Sequence, residues 1–458
     1  MAGLGFVGSI VFARELGPAG YGTFYLVLTL VQVLDNPVAG WGIACKKRLS
    51  ESDFPTAEAI GSGLTGSILN SLVVLPGVYV FATTVNAFEI RELLVPFSVL
   101  YISFSLFTVS SIMLSGRANF AASEWVDTFR SLLTLPLQLL LAVVLSFGAV
   151  GMIYGLAAAT LCTVPIVLHR IGVRPELPSL NTVRRTASYA KFSILDGFIG
   201  SAQSRVDILL LGAILATTDA IGHYEIALKL TIPALLIADV TGSGLLGRVS
   251  NLLSRGEPVE EDVTNALAYA GILAVPIFFG ALAIPEPLLV TIYGGEFRSA
   301  APLLAGLACY HLVRTQVTQF TAVVSGFDRP DVKMWVSAIS LVTNVVLGYT
   351  LLRMVGPVGV VFATIFSECL KYVALGYVVK RELPAVRLIP RPVFEQLGAG
   401  VVMYVCVEWA HQMIAVRSWV ELSVLLFIGG LTYFTVLTVA SPDLRGTVRG
   451  IVDDARTN

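Results

Sequence analysis

The sequence predicts an all-α polytopic membrane protein with about 14 transmembrane helices, arranged as two pseudo-symmetric six-helix bundles plus two C-terminal helices. Three observations support this fold class: the composition, a series of apolar segments, and the placement of the basic residues. Of the 458 residues, 55% are hydrophobic and only 13% are charged, whereas soluble domains carry about 25% charged residues. The composition therefore excludes a water-soluble globular domain and a disordered chain.

Fourteen apolar segments follow one another, separated by gaps that hold the Gly, Pro and charged residues that end helices. A membrane-spanning helix needs about 20 apolar residues, and most segments reach that length. The first has only about 13 and lacks the basic region of a signal peptide, so we expect the chain to begin inside its first helix. The segments lie at 1–13, 22–45, 59–84, 93–116, 121–147, 150–168, 189–214, 222–247, 264–292, 299–325, 332–354, 357–379, 393–413 and 419–440.

The basic residues indicate the orientation in the membrane, because Lys and Arg are concentrated in short cytoplasmic loops. Of the 30 Lys and Arg residues, 20 lie in one alternating set of gaps and 5 in the opposite set. This asymmetry predicts a multi-pass protein of the cell (cytoplasmic) membrane with both termini in the cytoplasm. Because the basic loops follow the membrane topology, no nucleic-acid partner is expected.

An internal repeat relates the two halves of the chain. Residues 22–30 resemble 222–230, and 115–126 resemble 325–336, at offsets of 200 and 210 residues. The offset covers six helices, so the halves share one topology and are related by an axis along the membrane normal. The predicted domains are an N-terminal bundle at 1–171, a cytoplasmic linker at 172–185, a second bundle at 186–391, helices 13 and 14 at 392–441, and a cytoplasmic tail at 442–458.

Five basic residues lie inside the apolar segments. Because intramembrane charges are costly, they should line a cleft between the bundles or pair with one another. Three of them have an acid three or four residues away, and self-neutralising pairs explain them equally well: Asp127–Arg130, Glu225–Lys229 and Glu368–Lys371. Arg205 is two residues from Asp207, which points in a different direction, and Arg314 has no acid at helical spacing.

Uncompensated arginines in a cleft favour an anionic substrate, since guanidinium binds phosphate in a bidentate way and stays charged. A diphosphate headgroup carrying sugars, with a lipid tail, fits this chemistry. The predicted substrate-binding residues are Arg205, Arg314, Lys371, Arg130, Lys229 and His311, and the candidate ion-coupling residues are Asp207, Asp239, Asp35 and Glu368. A role in helix packing explains the presence of His311 in the membrane equally well. Hydrogen bonding alone would also explain the presence of Asp35 and Asp239 there, and Asp35 lies beside a kink predicted at Asn36-Pro37.

Several stretches carry a family resemblance through their order and spacing: ARELGPAGYG at 13–22, VDILLLG at 206–212, GHYEIALKL at 222–230, YGGEF at 293–297, and 344–364. From about residue 4 to 440 the chain resembles the polysaccharide (O-antigen and teichuronic-acid type) flippase family of the multidrug/oligosaccharidyl-lipid/polysaccharide exporter superfamily. The resemblance implies a two-bundle alternating-access fold that moves undecaprenyl- or dolichyl-linked sugars from the cytoplasmic to the outer face. Asp35-Asn36-Pro37 departs from the acidic-Gly-Leu run expected in that family.

The expected function is therefore a flippase for polyprenyl-(di)phosphate-linked oligosaccharides, with membrane lipid and glycan-assembly proteins as partners. A cation-coupled multidrug exporter of the same superfamily is the alternative, although it should favour acids over arginines in the cleft. A membrane glycan polymerase or transferase is disfavoured because every outer gap is short. The sequence contains no nucleophile elbow, metal-ligand cluster or phosphate-binding Gly loop, so no enzymatic activity, cofactor or metal is expected.

Overall fold

The computed structural model describes residues 2–51, 54–84, 88–117, 120–215 and 217–442. These residues form 17 α-helices and no strand, which confirms the all-α class for the described part of the chain. Packing divides the chain into two compact units, Met1–Gly222 and His223–Asn458. The predicted tail at 442–458, which contains Arg445, Arg449 and Arg456, lies outside the described residues apart from Pro442.

The first unit holds seven helices, and a short π-helical stretch, Leu139–Val144, continues the fifth. The chain enters the second unit within the eighth helix. The helices of the first unit are α1 (Ala2–Leu34), α2 (Asn36–Leu49), α3 (Thr56–Thr84), α4 (Phe88–Gly116), α5 (Phe120–Gln138), α6 (Gly148–Ile171) and α7 (Leu180–Ile214).

The second unit is built from shorter helices at its start and long helices at its end. Two 3-10 turns, Ile232–Leu235 and Gly295–Ala300, precede α9 and α13. The helices are α8 (Asp219–Thr231), α9 (Leu236–Ser254), α10 (Glu260–Tyr269), α11 (Ala274–Ala283), α12 (Pro285–Tyr293), α13 (Ala301–Gly326), α14 (Pro330–Val355), α15 (Pro357–Glu382), α16 (Arg391–Met413) and α17 (Trp419–Ala440).

Two helix breaks near the N-terminus follow the sequence. Gly17 interrupts α1 with φ 64° and ψ −178°, a conformation that favours glycine. This break separates the first two predicted apolar segments. A second break at Asp35 divides α1 from α2, with Pro37 in the first turn of α2. Proline lacks an N–H and disturbs the preceding turn, so the predicted kink lies where the sequence placed it.

Within the described ranges, 11 helical stretches are long and apolar enough to cross a membrane. The protein is therefore a multi-pass membrane protein, but the count of 14 is not confirmed. The first two predicted segments contribute the single stretch Gly5–Leu34. Helices α7 and α13, which correspond to the segments at 189–214 and 299–325, are absent from the 11. Both helices carry charged and amide side chains that lower their hydropathy.

The arrangement as two six-helix bundles is also not confirmed, because α7 packs in the first unit. A Cβ atom on Gly40 of α2 would lie 2.5 Å from Cγ1 and 2.7 Å from Cα of Ile194 on α7, so the two backbones approach closely. Ser193 Oγ donates to the Gly40 carbonyl at 2.8 Å. These contacts fix α7 against α2. The domain bounds at 171, 185 and 391 remain predictions.

The segment predicted as a linker, 172–185, folds back on α3 within the first unit. The Glu58 carboxylate on α3 accepts hydrogen bonds from Ser179 N at 2.9 Å and Thr182 Oγ1 at 2.6 Å. These donors belong to the N-terminal turn of α7, where a carboxylate satisfies free N–H groups. Gly61 approaches the Glu176 carbonyl so closely that a Cβ would lie 1.7 Å from the oxygen. The segment is therefore packed on α3 rather than free in solvent.

In the second unit, glutamine side chains connect helices across the core. Gln319 Nε2 on α13 donates to the Ala238 carbonyl at 2.8 Å, and Gln316 Nε2 donates to the Leu267 carbonyl at 3.2 Å. Gln396 Nε2 on α16 donates to the Ala268 carbonyl at 2.7 Å. Buried amides must find such partners. The first two bonds position α13 beside α9 and α10, and the third positions α16 beside α10.

Candidate functional site

Helices α7 and α13 differ from the other long helices of the described chain. Of the helices with 26 residues or more, these two alone are missing from the apolar membrane-spanning set. Helix α7 carries Arg205 and α13 carries Arg314, the two arginines predicted to bind the substrate. Helix α7 belongs to the first unit and α13 to the second.

Arg205 lies near the end of α7 and is partly buried. No ion pair or hydrogen bond joins it to another residue of the described ranges. Asp207 is only 7% exposed and interacts with another group; the two side chains do not pair, as their spacing predicted. One turn before Arg205, Ser201 Oγ donates to Asn36 Oδ1 at 2.8 Å, which orients this part of α7 on α2.

Arg314 is partly buried near the middle of α13. Its Nη1 donates to Tyr310 Oη at 2.6 Å, and its guanidinium carbon lies 5.7 Å from the centroid of the Tyr310 ring. No carboxylate of the described chain lies within ion-pair distance. Glu368 and Asp239 interact with Arg314 electrostatically at longer range. Since a tyrosine hydroxyl does not neutralise the arginine, the guanidinium charge is held in place without an ion pair.

Lys371 on α15 is near enough to Arg314 for the two cations to repel each other. Lys371 Nζ forms an ion pair with Glu368 Oε2 at 2.7 Å, and the two side chains are 8% and 3% exposed. His311, 3% exposed, hydrogen-bonds to the backbone of Thr231. The second unit therefore brings together four of the predicted residues, two of them cations.

Arg130, Lys229 and Asp239 are three further predicted residues with different surroundings. Arg130 forms an ion pair with Asp127 at 2.7 Å and covers the Phe107 ring at 4.7 Å, as the self-neutralising alternative described. Lys229 is partly buried on α8 and interacts with other groups. Asp239 is exposed on α9.

Asp35 is 2% exposed at the break between α1 and α2. Its side chain hydrogen-bonds to Ser105 and Thr108 of α4, and no described Lys or Arg forms an ion pair with it. Sequence reasoning noted the carboxyl group and the kink, but it did not identify the hydroxyl groups around it. Their spacing of three residues on one helix face was the available signal.

Sequence reasoning also missed Tyr310 as the partner of Arg314. The two residues are spaced i,i+4, which places them on one helix face, so the signal was present. Among the described residues, no three His, Cys, Asp or Glu side chains converge in a way that could hold a metal ion.

The fold defines a polytopic, all-helical membrane protein. Residues 11–302 match the family model described as "Polysaccharide biosynthesis protein". The chain belongs to this family, which confirms the family resemblance seen in the sequence.

Three known proteins illustrate the similarity. The chain is 24% identical over 459 residues to the "Probable low-salt glycan biosynthesis flippase Agl15" of Haloferax volcanii, covering 96% of this chain and 93% of that protein. Its fold is similar to that of the lipid II flippase MurJ in an inward closed conformation, with a TM-score of 0.80, 15% identity and 97% coverage of both chains. An inward-facing MATE family multidrug resistance transporter of the MOP superfamily matches with a TM-score of 0.64 and 14% identity, covering 83% of this chain and 94% of the other.

Proposed function

We propose that the protein is a flippase that moves polyprenyl-(di)phosphate-linked oligosaccharides from the cytoplasmic to the outer leaflet by alternating access. One observation carries this proposal: Arg205 and Arg314, each on a long polar helix, form no ion pair with a described carboxylate. A buried cation without a carboxylate is costly unless it faces water or an anionic ligand. The diphosphate supplies that anion, and the family membership and the flippase-named relative support a lipid-linked glycan as cargo.

The proposed topology has 14 crossings, as two six-helix bundles plus α16 and α17. In this topology the break at Gly17 divides the apolar stretch Gly5–Leu34 into two crossings, so the 11 apolar stretches supply 12. Helices α7 and α13 add two more crossings as polar helices, which gives the predicted number. Both termini are proposed to lie on the cytoplasmic side of the cell membrane, because the basic gaps alternate with the apolar segments. Glycan-assembly proteins remain proposed partners.

The cluster in the second unit supplies the chemistry of recognition. Arg314 is held by Tyr310 with its remaining donors available for phosphate oxygens. Lys371 adds a second positive charge, which Glu368 neutralises before the cargo arrives. In the first unit, Arg205 and Arg130 are the proposed cargo contacts, and Lys229 and His311 are further proposed contacts of the second unit.

A multidrug exporter remains the second candidate, because the MATE transporter has a related fold. Organic cations call for acidic groups in the binding site, and the exposed Asp239 and the buried Asp35 and Asp207 are the acids that such a function would use. The partly buried, unneutralised Arg205 and Arg314 favour the anionic cargo instead.

The test is transport of a fluorescent polyprenyl-diphosphate sugar by the protein reconstituted in liposomes. We expect wild type to move the labelled lipid, and Arg205→Gln and Arg314→Gln to lose at least about tenfold in rate, as expected for loss of a charged hydrogen-bond pair. Arg353→Gln is the matched control. Arg353 covers the Tyr349 ring at 4.5 Å, with the same i,i+4 spacing as Arg314 and Tyr310, but Arg353 is exposed. Unchanged transport in both arginine variants, or transport of a cationic dye instead, would refute the proposal.

A further inference from the structure

A buried carboxyl group lies at the break between α1 and α2, where the helical fold does not require it. The backbone there is already satisfied: Asp35 N donates to the Val31 carbonyl at 2.9 Å, and the Asp35 carbonyl accepts from Val38 N and Ala39 N, both at 3.0 Å. The Asp35 side chain makes no capping hydrogen bond to α2. A neutral residue would therefore serve the helix equally well, although Asp35 is only 2% exposed.

Oxygen atoms surround this carboxyl group. Ser105 and Thr108 of α4 hydrogen-bond to it, and Ser67 Oγ of α3 lies 2.8 Å from Ser105 Oγ. The second carboxyl oxygen, Asp35 Oδ1, is buried and has no hydrogen-bond partner among the described residues. An unpaired carboxylate oxygen in such a place points to a missing ligand, because buried polar atoms are nearly always satisfied.

The helix break adds a carbonyl oxygen to the same region. Val38 N bonds to Asp35 rather than to Leu34, so the Leu34 carbonyl is released from the helical pattern. It accepts hydrogen bonds from Tyr101 Oη at 3.1 Å and from Asn70 Nδ2 at 3.4 Å. These two bonds use both lone pairs of the carbonyl, so its part is to hold the Tyr101 and Asn70 side chains beside the break.

The neighbouring helices bring no cation to Asp35. Tyr101 on α4 is the titratable group with which it interacts electrostatically. On α7, Asp196 and Arg205 flank the turn that contacts Asn36, and neither forms an ion pair with Asp35. On α5, which packs against α4, Arg130 covers the Phe107 ring and forms its ion pair with Asp127 rather than with Asp35. The charged residues of α1 to α4 lie about nine or more residues along their helices from the site, roughly 13 Å or more: Glu15 on α1, Lys46, Lys47 and Arg48 on α2, Glu58 on α3, and Glu92 on α4.

We propose that Asp35 forms a binding site for one monovalent cation, a proton or Na+, and that exchange of this cation is coupled to transport. One negative charge among neutral oxygens needs one positive charge to be tolerated in the protein interior. The site uses α1, α2, α3 and α4, all in the first unit. The coupling rests on the proposed flippase function, whereas cation binding does not.

The test of binding measures the thermal unfolding midpoint of the purified protein in lipid nanodiscs, without cargo. One arm compares NaCl with choline chloride at equal ionic strength, and the other arm varies pH in choline chloride. We expect the midpoint of wild type to rise with Na+ if sodium is the ligand, or as pH falls if a proton is. Asp35→Asn should remove that response, and Asp331→Asn, which changes an exposed carboxylate of α14, should retain it.

Two further variants keep the test decisive if Asp35→Asn does not fold. Ser105→Ala and Thr108→Val retain the carboxylate but remove its hydroxyl neighbours, and each should shift the cation concentration at half-maximal response by about tenfold. A wild-type midpoint that is independent of both Na+ and pH would overturn the proposal. The same holds for an Asp35→Asn variant that responds like wild type, or for an unshifted response in both hydroxyl variants.

Coupling is tested separately with the reconstituted transporter and a Na+ or pH gradient. We expect a gradient to change the transport rate of wild type but not of Asp35→Asn. If cargo does not move at all while the nanodisc response is present, the flippase proposal fails and the cation site stands. If Asp35→Asn responds to the gradient like wild type, the coupling is wrong.

Discussion

Breaking the buried ion pair between Lys371 and Glu368 should destabilise the second unit. The loss in free energy of unfolding should depend on which of the two charges is removed. The pair is joined at 2.7 Å, with side chains 8% and 3% exposed. Removing one partner of a buried pair leaves an uncompensated charge and costs about 3–5 kcal/mol, whereas removing both is often nearly neutral. The perturbations are Glu368→Gln, Lys371→Met and the double variant.

The position of Arg314 determines which single variant is worse. Glu368→Gln leaves two cations, Lys371 and Arg314, close together without their carboxylate. Lys371→Met leaves Glu368, which still interacts favourably with Arg314. We therefore expect Glu368→Gln to lie at the upper end of the roughly 3–5 kcal/mol range and Lys371→Met to cost less, with the double variant closest to wild type, within about 1–2 kcal/mol.

The assay is thermal unfolding in nanodiscs with all four members of the cycle. For a unit of this size, a loss of about 5 kcal/mol for Glu368→Gln corresponds to a fall in midpoint of roughly 10–20 °C. The control pair is Arg391–Glu395, joined at 2.9 Å but with the arginine 78% exposed, where breaking the pair should cost less than about 1 kcal/mol. Equal effects at the two pairs, or a larger loss in Lys371→Met than in Glu368→Gln, would refute the reasoning.

Two further predictions concern close helix contacts in the first unit. Gly40→Ala should reduce the thermal midpoint and the yield of folded protein, because the added Cβ would meet the backbone and side chain of Ile194, an overpacking cost of about 1–3 kcal/mol. Gly61→Ala should displace the segment packed on α3, because its Cβ would overlap the Glu176 carbonyl. Limited proteolysis within 172–178 should then be faster than in wild type.

Glycines with open space around them provide the controls for these two substitutions. Gly200 on α7 and Gly77 on α3 have no atom within 4 Å of the position that an added Cβ would occupy. Alanine at either site should leave the free energy of unfolding unchanged or raise it by up to about 1 kcal/mol, and the thermal midpoint should not fall. The reason is that alanine loses less backbone entropy on folding than glycine. If Gly40→Ala or Gly61→Ala behaves like these controls, the close contact has been overestimated.

Local features of the fold were predictable because they depend on few neighbouring residues. Gly17 and Pro37 mark the two breaks at which α1 ends or bends, and both follow from backbone restrictions of single residues. Arg130 and Lys371 form ion pairs with acids three residues earlier, an arrangement that helical spacing alone permits. The all-α class followed from the apolar segments in the same way.

Long-range features were not predictable from one sequence. The hydroxyl groups around Asp35 come from α3 and α4, and their meeting depends on how these helices pack. The packing of α7 against α2 in the first unit depends on Gly40, which carries no recognisable signal in isolation. The number of membrane crossings was also hard to predict. A hydropathy criterion measures how well a helix tolerates lipid around it, and a helix enclosed by protein can cross the membrane without meeting that criterion.

That distinction bears on the arginine-bearing helices. A helix that faces lipid on most sides must be apolar, but a helix enclosed by protein or lining water can carry charges. Helices α7 and α13 have the length of the other long helices and lack their hydropathy. In the proposed topology of 14 crossings, their polar faces therefore need protein or water around them within the membrane. Arg205 and Arg314 are then tolerated only as members of such a polar lining. If either helix were found to lie along the membrane surface instead, its arginine would be an ordinary solvated cation and the diphosphate assignment would lose its physical reason.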